Sequence, residues 1–331
     1  MKTRTTRWQR LSLSVLAALC LGAATGSTSV LAQDYPAKPI RLIVPSSAGN
    51  VADLVARTLA GPMAKALGQS VVVENVTGAG GVTGTDRMVR SAKDGYTIGL
   101  ASSNHAINPS IYKSMPFDSL NDIAPIMVVG TTPLALVVHP SVQAKDAREL
   151  VALAKAKPNL LNYGSAGNGT VLHLAGVLLV SEAGVEIVHV PNKGFATMFS
   201  DLLGGQIQLA FVGVPSVAGH IKSGKLVALG VSTTGRSAIL PDVPTLAEAG
   251  LPGYSFDAWL ALMGPAGLPQ PILDRLNAAA KIALASPEVQ ETFAAQGVVI
   301  VGSTPETAAQ FFRTELDKHS RLVKRSGASL E

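Results

Sequence analysis

The sequence has 331 residues, of which 27 are Lys or Arg and 22 are Asp or Glu, and its formal net charge is +5. Four of the basic residues and none of the acidic ones lie within residues 1–32, so the rest of the chain has a formal net charge of +1. This balance excludes the basic surface that nucleic acid binding requires. The only cysteine, Cys20, lies in the same segment, which excludes disulfides, thiolate nucleophiles and cysteine metal sites from the remainder.

The first 32 residues predict an export signal. A basic tail is followed by an apolar run from Leu11 to Leu21 that is too short to span a bilayer, and residues 30–32 form a small-x-small cleavage pattern before Gln33. Cys20 follows Leu19, where lipoprotein processing requires a small residue, so lipidation is the less favoured interpretation. We expect a mature chain of 299 residues, folded as about two domains, in a compartment outside the cytoplasm.

The chain after this signal predicts alternating strands and helices. The first elements are the strand Ile40–Val44, the helix Val51–Leu67, the strand Val71–Glu74, the helix Val82–Ala92 and the strand Tyr96–Leu100. Later strands are predicted at 135–138, 161–163, 187–190, 209–212, 226–231 and 259–263, and later helices at 146–156, 170–181, 195–203, 271–285, 287–296 and 305–324. Such alternation is typical of parallel sheets with crossover helices.

Two long, apolar, extended segments suggest how the domains connect. They are Ile126–Val138 and Tyr254–Met263, and they flank the middle block of the chain. If both pass between lobes, the middle block is a domain inserted into the first one, and a cleft lies between them. We therefore predict lobe 1 from residues 33–130 and 257–331, and lobe 2 from residues 131–256.

Three patterns that would indicate catalysis or a cofactor are incomplete. In the glycine-rich segment 77–84, Thr83 stands where the dinucleotide fingerprint needs its third glycine. Around Ser165, Tyr163 replaces the first glycine of a G-x-S-x-G nucleophile turn. The six histidines show no metal-ligand spacing. The sequence predicts no catalytic residue, no metal and no cofactor, and a secreted α/β hydrolase acting through Ser165 is the less favoured alternative.

Three loops rich in Gly, Ser, Asn and Thr precede predicted helices, at residues 46–50, 77–84 and 164–170. Helix N-termini present unpaired N–H groups and a positive dipole, which bind anions without arginine. Any one such loop is more often an ordinary helix cap than a binding site. Two such loops facing each other at the carboxyl ends of strands would form a ligand site. Carbohydrate is disfavoured, because Trp259 is the only tryptophan after the signal.

Ordered motifs across the mature chain carry a family resemblance. They are Tyr35–Arg41, Val71–Asn75 with Gly78–Gly81, Asp94–Thr97, His105–Pro109, Leu161–Thr170, His189–Pro191 with Lys193-Gly194, Asp201–Gly205 and Leu240–Thr245. With these motifs the chain resembles the Bug, or TctC-type, periplasmic receptors of tripartite tricarboxylate transporters.

The resemblance implies an α/β, two-lobed periplasmic-binding-protein fold (type II-like, Venus-flytrap) with two crossing strands. It implies a carboxylate held by residues 45–53 and 164–170, with support from His105 and the turn at 78–81. The implied partners are a large and a small integral-membrane transporter subunit, and a membrane sensor is the alternative; we expect a monomer. The predicted ligand-binding residues are Ser46, Ser47, Ala48, Gly49, Asn50, Asp53, Gly80, His105, Ser165, Ala166, Gly167, Asn168, Thr170, Asn192, Val212 and Val214.

Three departures from the family pattern bear on the ligand. Ser46 stands where the family usually has phenylalanine, Asn192 where it has tyrosine, and Val212 where an acid is common. A buried ammonium group needs an anionic partner, so the missing acid argues against an amino-acid ligand. The apolar segment 212–214 leaves room for a hydrophobic body. We predict an organic mono- or dicarboxylate, aromatic acids included.

Overall fold

The computed structural model describes residues 35–329, so the predicted export signal lies outside the described residues. The chain divides into the short unit Met1–Ala37 and the unit Lys38–Glu331, and every element named below belongs to the second. Within residues 35–329, no helix combines the length and apolar character that a membrane span needs.

The described chain contains ten strands and ten α-helices. The strands are β1 (Ile40–Val44), β2 (Val71–Asn75), β3 (Thr97–Ser102), β4 (Ile123–Val138), β5 (Asn162–Ser165), β6 (Val188–Pro191), β7 (Leu209–Gly213), β8 (Val227–Val231), β9 (Asp257–Pro265) and β10 (Val299–Ile300). The helices are α1 (Val51–Leu67), α2 (Val82–Val89), α3 (Asn104–Ile111), α4 (Ala147–Ala156), α5 (Val171–Ala183), α6 (Phe195–Leu203), α7 (Val214–Lys222), α8 (Gln270–Leu284), α9 (Pro287–Ala295) and α10 (Pro305–Ser326). A single 3-10 turn, Ala79–Gly81, precedes α2.

The strands hydrogen-bond in the order β2-β1-β3-β9-β4-β7-β5-β6, and β8 and β10 also pair with β4. Among the ten described strands, the parallel pairing that the alternating pattern predicts is found on the flanks, where β1 joins β2 and β3, and β5 joins β6 and β7. The central pairs β3–β9, β9–β4 and β4–β7 are antiparallel. The sheet is therefore mixed, because β4 and β9 cross between the two parallel flanks.

The long strand β4 links the two flanks directly. Its first part pairs with β9 and β10, whereas residues Leu134–Val138 pair with β7 and β8. With β9 it forms the two crossing strands that the extended segments 126–138 and 254–263 predict. The carboxyl ends of β1, β3, β5 and β7 lead into α1, α3, α5 and α7.

The helix α10 adds a contact between the middle block and the rest of the chain. Its buried Leu322 and Val323 belong to the same apolar cluster as Leu174 and Leu178 of α5. Ile111 of α3 joins this cluster as well. The middle block is therefore held by side-chain packing as well as by β4 and β9.

Candidate ligand-binding site

A cavity of about 260 Å³ lies where the loops after β1, β3, β5 and β7 meet the two crossing strands. We call it the cleft cavity. It is lined by Val51, Ser102, Ser103, Thr132, Leu134, Val171, Leu172, Gly213, Ala258, Trp259 and Leu260. None of these side chains is ionisable. Ligands of open α/β sheets bind at this place, outside the carboxyl ends of parallel strands.

The N-terminus of α1 opens on the cleft cavity. Asn50 caps this helix, since its side-chain oxygen accepts the N–H of Asp53 at 2.9 Å. The N–H groups of Val51 and Ala52 have no partner among the described residues. This helix of 17 residues therefore has two free donors and a positive dipole at its N-terminus, and its first residue, Val51, lines the cavity.

The N-terminus of α5 opens on the same cavity. Thr170 caps it by accepting the N–H of His173 at 3.3 Å. Val171 and Leu172 line the cavity, and their N–H groups also lack a partner in the described part of the chain. Because two helix N-termini meet one neutral cavity, the arrangement favours an anion that both can reach.

Several polar atoms around the cavity are already engaged in hydrogen bonds within the chain. The indole Nε1 of Trp259 donates to Glu315 at 2.9 Å, and its backbone N–H donates to Ser103 Oγ at 2.9 Å. Ser232 Oγ accepts the N–H of Leu134 at 3.0 Å. Apart from Ser102 and Thr132, the wall that is left to contact the body of a ligand is mainly hydrocarbon.

Asp53 fixes the loop that precedes α1. Its buried carboxylate accepts the N–H of Gly49 at 2.8 Å, Nδ2 of Asn75 at 2.9 Å and Nε of Arg57 at 3.0 Å. The hydrogen bond from Arg57, above all, lowers the pKa of Asp53 to about 2. The three donors use the carboxylate fully, so Asp53 positions the loop rather than facing a ligand.

Replacing Asp53 by asparagine should therefore reduce stability in a pH-dependent way. The pKa of Asp53 is 3.8 without perturbation and about 2 in the folded chain, so its stabilising effect is present above pH 4 and disappears as the pH falls through 2. We expect Asp53→Asn to lower the free energy of unfolding by about 1 to 2 kcal/mol near neutral pH, because the partner Arg57 is half exposed and solvent screens the pair. Urea denaturation near pH 7 and near pH 3 would measure this difference, with exposed Asp242→Asn as the control. A loss that is equal at both pH values would contradict the assignment.

Two histidines hold the loop of residues 166–170 in place through hydrogen bonds. Ser165 is fully buried, and its Oγ lies 2.7 Å from Nε2 of His189. The N–H of Gly169 donates to Nδ1 of His173 at 3.0 Å, and that of Gly167 donates to Ser165 Oγ at 3.2 Å. These N–H groups are therefore already hydrogen-bonded to protein atoms. Ser165 is buried, so its hydroxyl is not an exposed nucleophile.

The remaining predicted residues differ in how exposed they are and in the loop on which they lie. Ser47, Ala48, Gly49 and Asn50 are exposed on the loop before α1, and Ser46 is half-buried there. On the loop before α5, Asn168 is exposed, whereas Ala166, Gly167 and Thr170 are half-buried. Asn192 is half-buried beside this second loop, because its N–H donates to the Ser165 carbonyl at 3.0 Å. Exposed Gly80 joins the same edge, since its carbonyl accepts Nδ2 of Asn108 at 3.1 Å.

Three predicted residues lie behind the cleft cavity rather than on its surface. His105 is buried against Phe117 and Phe312, its Nε2 is 2.8 Å from the Ser119 carbonyl, and burial lowers its pKa to about 4. Val212 and Val214 are fully buried in an apolar cluster, and Gly213 between them lines the cavity instead. Neighbouring residues of a strand face opposite sides, which explains why Gly213 rather than Val212 lines the cavity, and Val214 is already the first residue of α7.

Sequence reasoning missed most of the residues that line the cavity. Val51, Val171 and Leu172 directly follow the two helix caps, and their position next to a cap is the signal that could have found them. The wall residues of β4 and β9 carry no comparable signal, because their sequence is typical of any buried strand.

The chain is similar in sequence and in fold to known proteins. The model of the tripartite tricarboxylate transporter family receptor, TctC, matches residues 55–328. Protein BugT of Bordetella pertussis is 39% identical over 304 residues, which cover 91% of this chain and 93% of that protein. An R. palustris protein solved with adipate has a TM-score of 0.76 at 30% identity, covering 90% of this chain and 100% of that chain. MatC from Rhodopseudomonas palustris with bound malate has a TM-score of 0.72 at 29% identity, covering 87% and 100%.

The match to the family model and to BugT extends over most of the chain, and the solved relatives share its fold. The mixed sheet with two crossing strands is the fold of these periplasmic binding proteins. This chain belongs to the tripartite tricarboxylate transporter receptor family, the TctC or Bug family of periplasmic solute-binding proteins.

Proposed function

We propose that this chain is a periplasmic receptor that binds a small organic mono- or dicarboxylate in the cleft cavity and performs no catalysis of its own. The observation that carries this proposal is the convergence of two helix N-termini, each with two unpaired N–H groups, on one neutral cavity. Two solved relatives hold the dicarboxylates adipate and malate.

The lining of the cavity narrows the class of ligand. Its wall is formed mainly by Leu134, Ala258, Trp259 and Leu260, and no carboxylate lies on it to pair with an ammonium group. Burying an unpaired cation is unfavourable. The cavity therefore suits an acid with a hydrocarbon body, aliphatic or aromatic, better than an amino acid.

The proposed cycle follows from the two flanks of the sheet. Lobe 1 (residues 33–130 and 257–331) and lobe 2 (residues 131–256) close about β4 and β9, which brings the N-termini of α1 and α5 onto opposite sides of the anion. The loop residues 46–50 and 166–170 complete the site, whereas Asp53, His105, Ser165, Val212 and Val214 shape it from behind. The closed monomer then delivers its ligand to large and small integral-membrane subunits, after export by the signal in residues 1–32.

A thermal-shift screen tests the ligand class. We expect aliphatic dicarboxylates or aromatic acids to raise the melting temperature in a concentration-dependent way, because a ligand that binds only the folded chain stabilises it by mass action. The matching amino acids, which carry the same body and an added ammonium group, serve as controls. Stabilisation by amino acids alone would overturn the proposed class.

A further inference from the structure

A second cavity of about 340 Å³ lies on the far side of the loop formed by residues 166–170, and it shares no lining residue with the cleft cavity. Its polar lining includes Tyr163, His173, His189 and Arg325. Arg325 belongs to the C-terminal turn of α10, whereas the other three belong to β5, α5 and β6. The second cavity therefore lies where α10 meets the middle block.

Two nearly buried side chains direct unused polar atoms at this cavity. The Nδ1 atom of His173 accepts the N–H of Gly169, so the neutral ring carries its proton on Nε2. Neither His173 Nε2 nor the hydroxyl of Tyr163 has a hydrogen-bond partner among residues 35–329, although these residues are only 4% and 5% exposed. Both residues line the second cavity, so His173 Nε2–H is available there as a donor, and the Tyr163 hydroxyl as a donor or acceptor.

The charge of the lining favours an anion. Burial lowers the pKa of His173 and of His189 to about 4, so both rings are neutral near pH 7. Arg325 is then the one cationic residue of the lining, and it contacts no carboxylate in the described chain. Its Nη1 donates to Ser181 Oγ at 2.6 Å, which leaves the other guanidinium nitrogens free to hold an anion.

The rest of the lining is apolar. Val177, Val180 and Ile187 face the second cavity from α5 and the segment before β6. We propose that the second cavity binds a small monocarboxylate, with its oxygens on Arg325 and His173 Nε2 and its hydrocarbon body against these three side chains. This site is separate from the cleft cavity and does not depend on the function proposed for it.

A ligand in the second cavity would also affect the loop before α5, which borders the cleft cavity. The same imidazoles that face the second cavity hold the loop before α5, His173 through Gly169 and His189 through Ser165. Their rings are stacked with centroids 3.9 Å apart, so a ligand that moves one ring displaces both contacts. The amide of Gly169 is therefore a reporter for the second cavity.

An NMR titration with hexanoate or benzoate tests this proposal on the whole mature chain. We expect the imidazole signals of His173 and His189 and the amide signal of Gly169 to shift and saturate. Arg325→Gln should weaken the binding at least tenfold, because it removes the charge but keeps a group that can donate to Ser181. Arg321→Gln changes an exposed arginine one turn earlier on α10, outside the lining, and should bind as the wild type does.

Any of three results would overturn the proposal. The first is the absence of saturable shifts, and the second is an undiminished titration in Arg325→Gln. The third is loss of the shifts when the cleft is disabled by replacing Val51 and Val171 with proline, because the signal would then come from the cleft cavity. Shifts that persist in that double variant and weaken only in Arg325→Gln establish the second site, whatever the cleft binds.

Discussion

Replacing Val51 or Val171 by proline should weaken carboxylate binding by about ten- to a hundredfold while the fold is retained. Each residue is the first of its helix, where proline is well accepted. The preceding caps already have extended backbones, with φ −83° and ψ 172° at Asn50 and φ −72° and ψ 159° at Thr170, as a residue before proline requires. Proline therefore deletes one N–H donor to the anion, and a hydrogen bond to a charged group contributes about 1.5 to 3 kcal/mol.

Alanine variants separate the lost N–H group from the lost side chain. Val51→Ala and Val171→Ala keep the N–H and remove apolar surface only, so they should bind far better than the proline variants. Isothermal titration calorimetry with the best acid of the screen gives the affinities, and circular dichroism checks the helices. If alanine and proline variants lose the same affinity, the helix N-termini are not the anion site.

Replacing Gly169 by alanine should impair both stability and ligand binding. Gly169 has φ 73°, in the left-handed region, and an added Cβ would overlap Cδ1 of Ile111 on α3. The backbone strain amounts to about 1 to 2 kcal/mol, and the displaced contact adds about 1 to 3 kcal/mol. Because Ile111 belongs to lobe 1 and Gly169 to lobe 2 as we propose them, the overlap also hinders closure around the ligand.

Gly68 provides a matched control for this variant. It has φ 74° at the end of α1, and an added Cβ there would meet nothing within 4 Å. Gly68→Ala should therefore show the backbone strain alone, with unchanged affinity. Chemical denaturation and calorimetry on the two variants measure the difference. Equal losses of stability together with equal affinities would show that Gly169 does not mediate closure.

Much of the fold follows from local signals in the sequence. The predicted helix Val51–Leu67 coincides with α1, because Asn50 caps its start and Gly68, in the left-handed conformation, ends it. The helices α3 and α7 were not predicted. Pro109 lies inside α3, and Pro215 is the second residue of α7, which starts directly after a strand, so both segments look like loops in the sequence. The short β10 forms only because β4 supplies its partner.

The sequence indicates which loops form the candidate site, but not which of their atoms are free to contact a ligand. Caps and glycines indicate the N-termini of α1 and α5 from sequence alone. Which N–H groups are free depends on contacts far along the chain, such as that of His189 with Ser165. The orientation of Gly213 toward the cavity depends on the pairing of β7 with β4, which fixes the face of each residue.

Because α10 packs on α5 near one end, a rotation about that contact would displace the other end of α5. Arg325 holds Ser181 near one end of α5, and Val171 at the other end lines the cleft cavity, about 15 Å away along the axis. Detaching α10 would expose Leu322 and Val323, each stabilising the fold by about 1.5 to 3 kcal/mol when buried. If lobe 2, as we propose it, pivots about this contact, a rotation of about 15°, the size of known subunit rotations, moves the start of α5 by about 4 Å. In the proposed site, such a displacement would break the hydrogen bonds from α5 to the anion while those from α1 persist, so we expect the ligand to leave from α5 first.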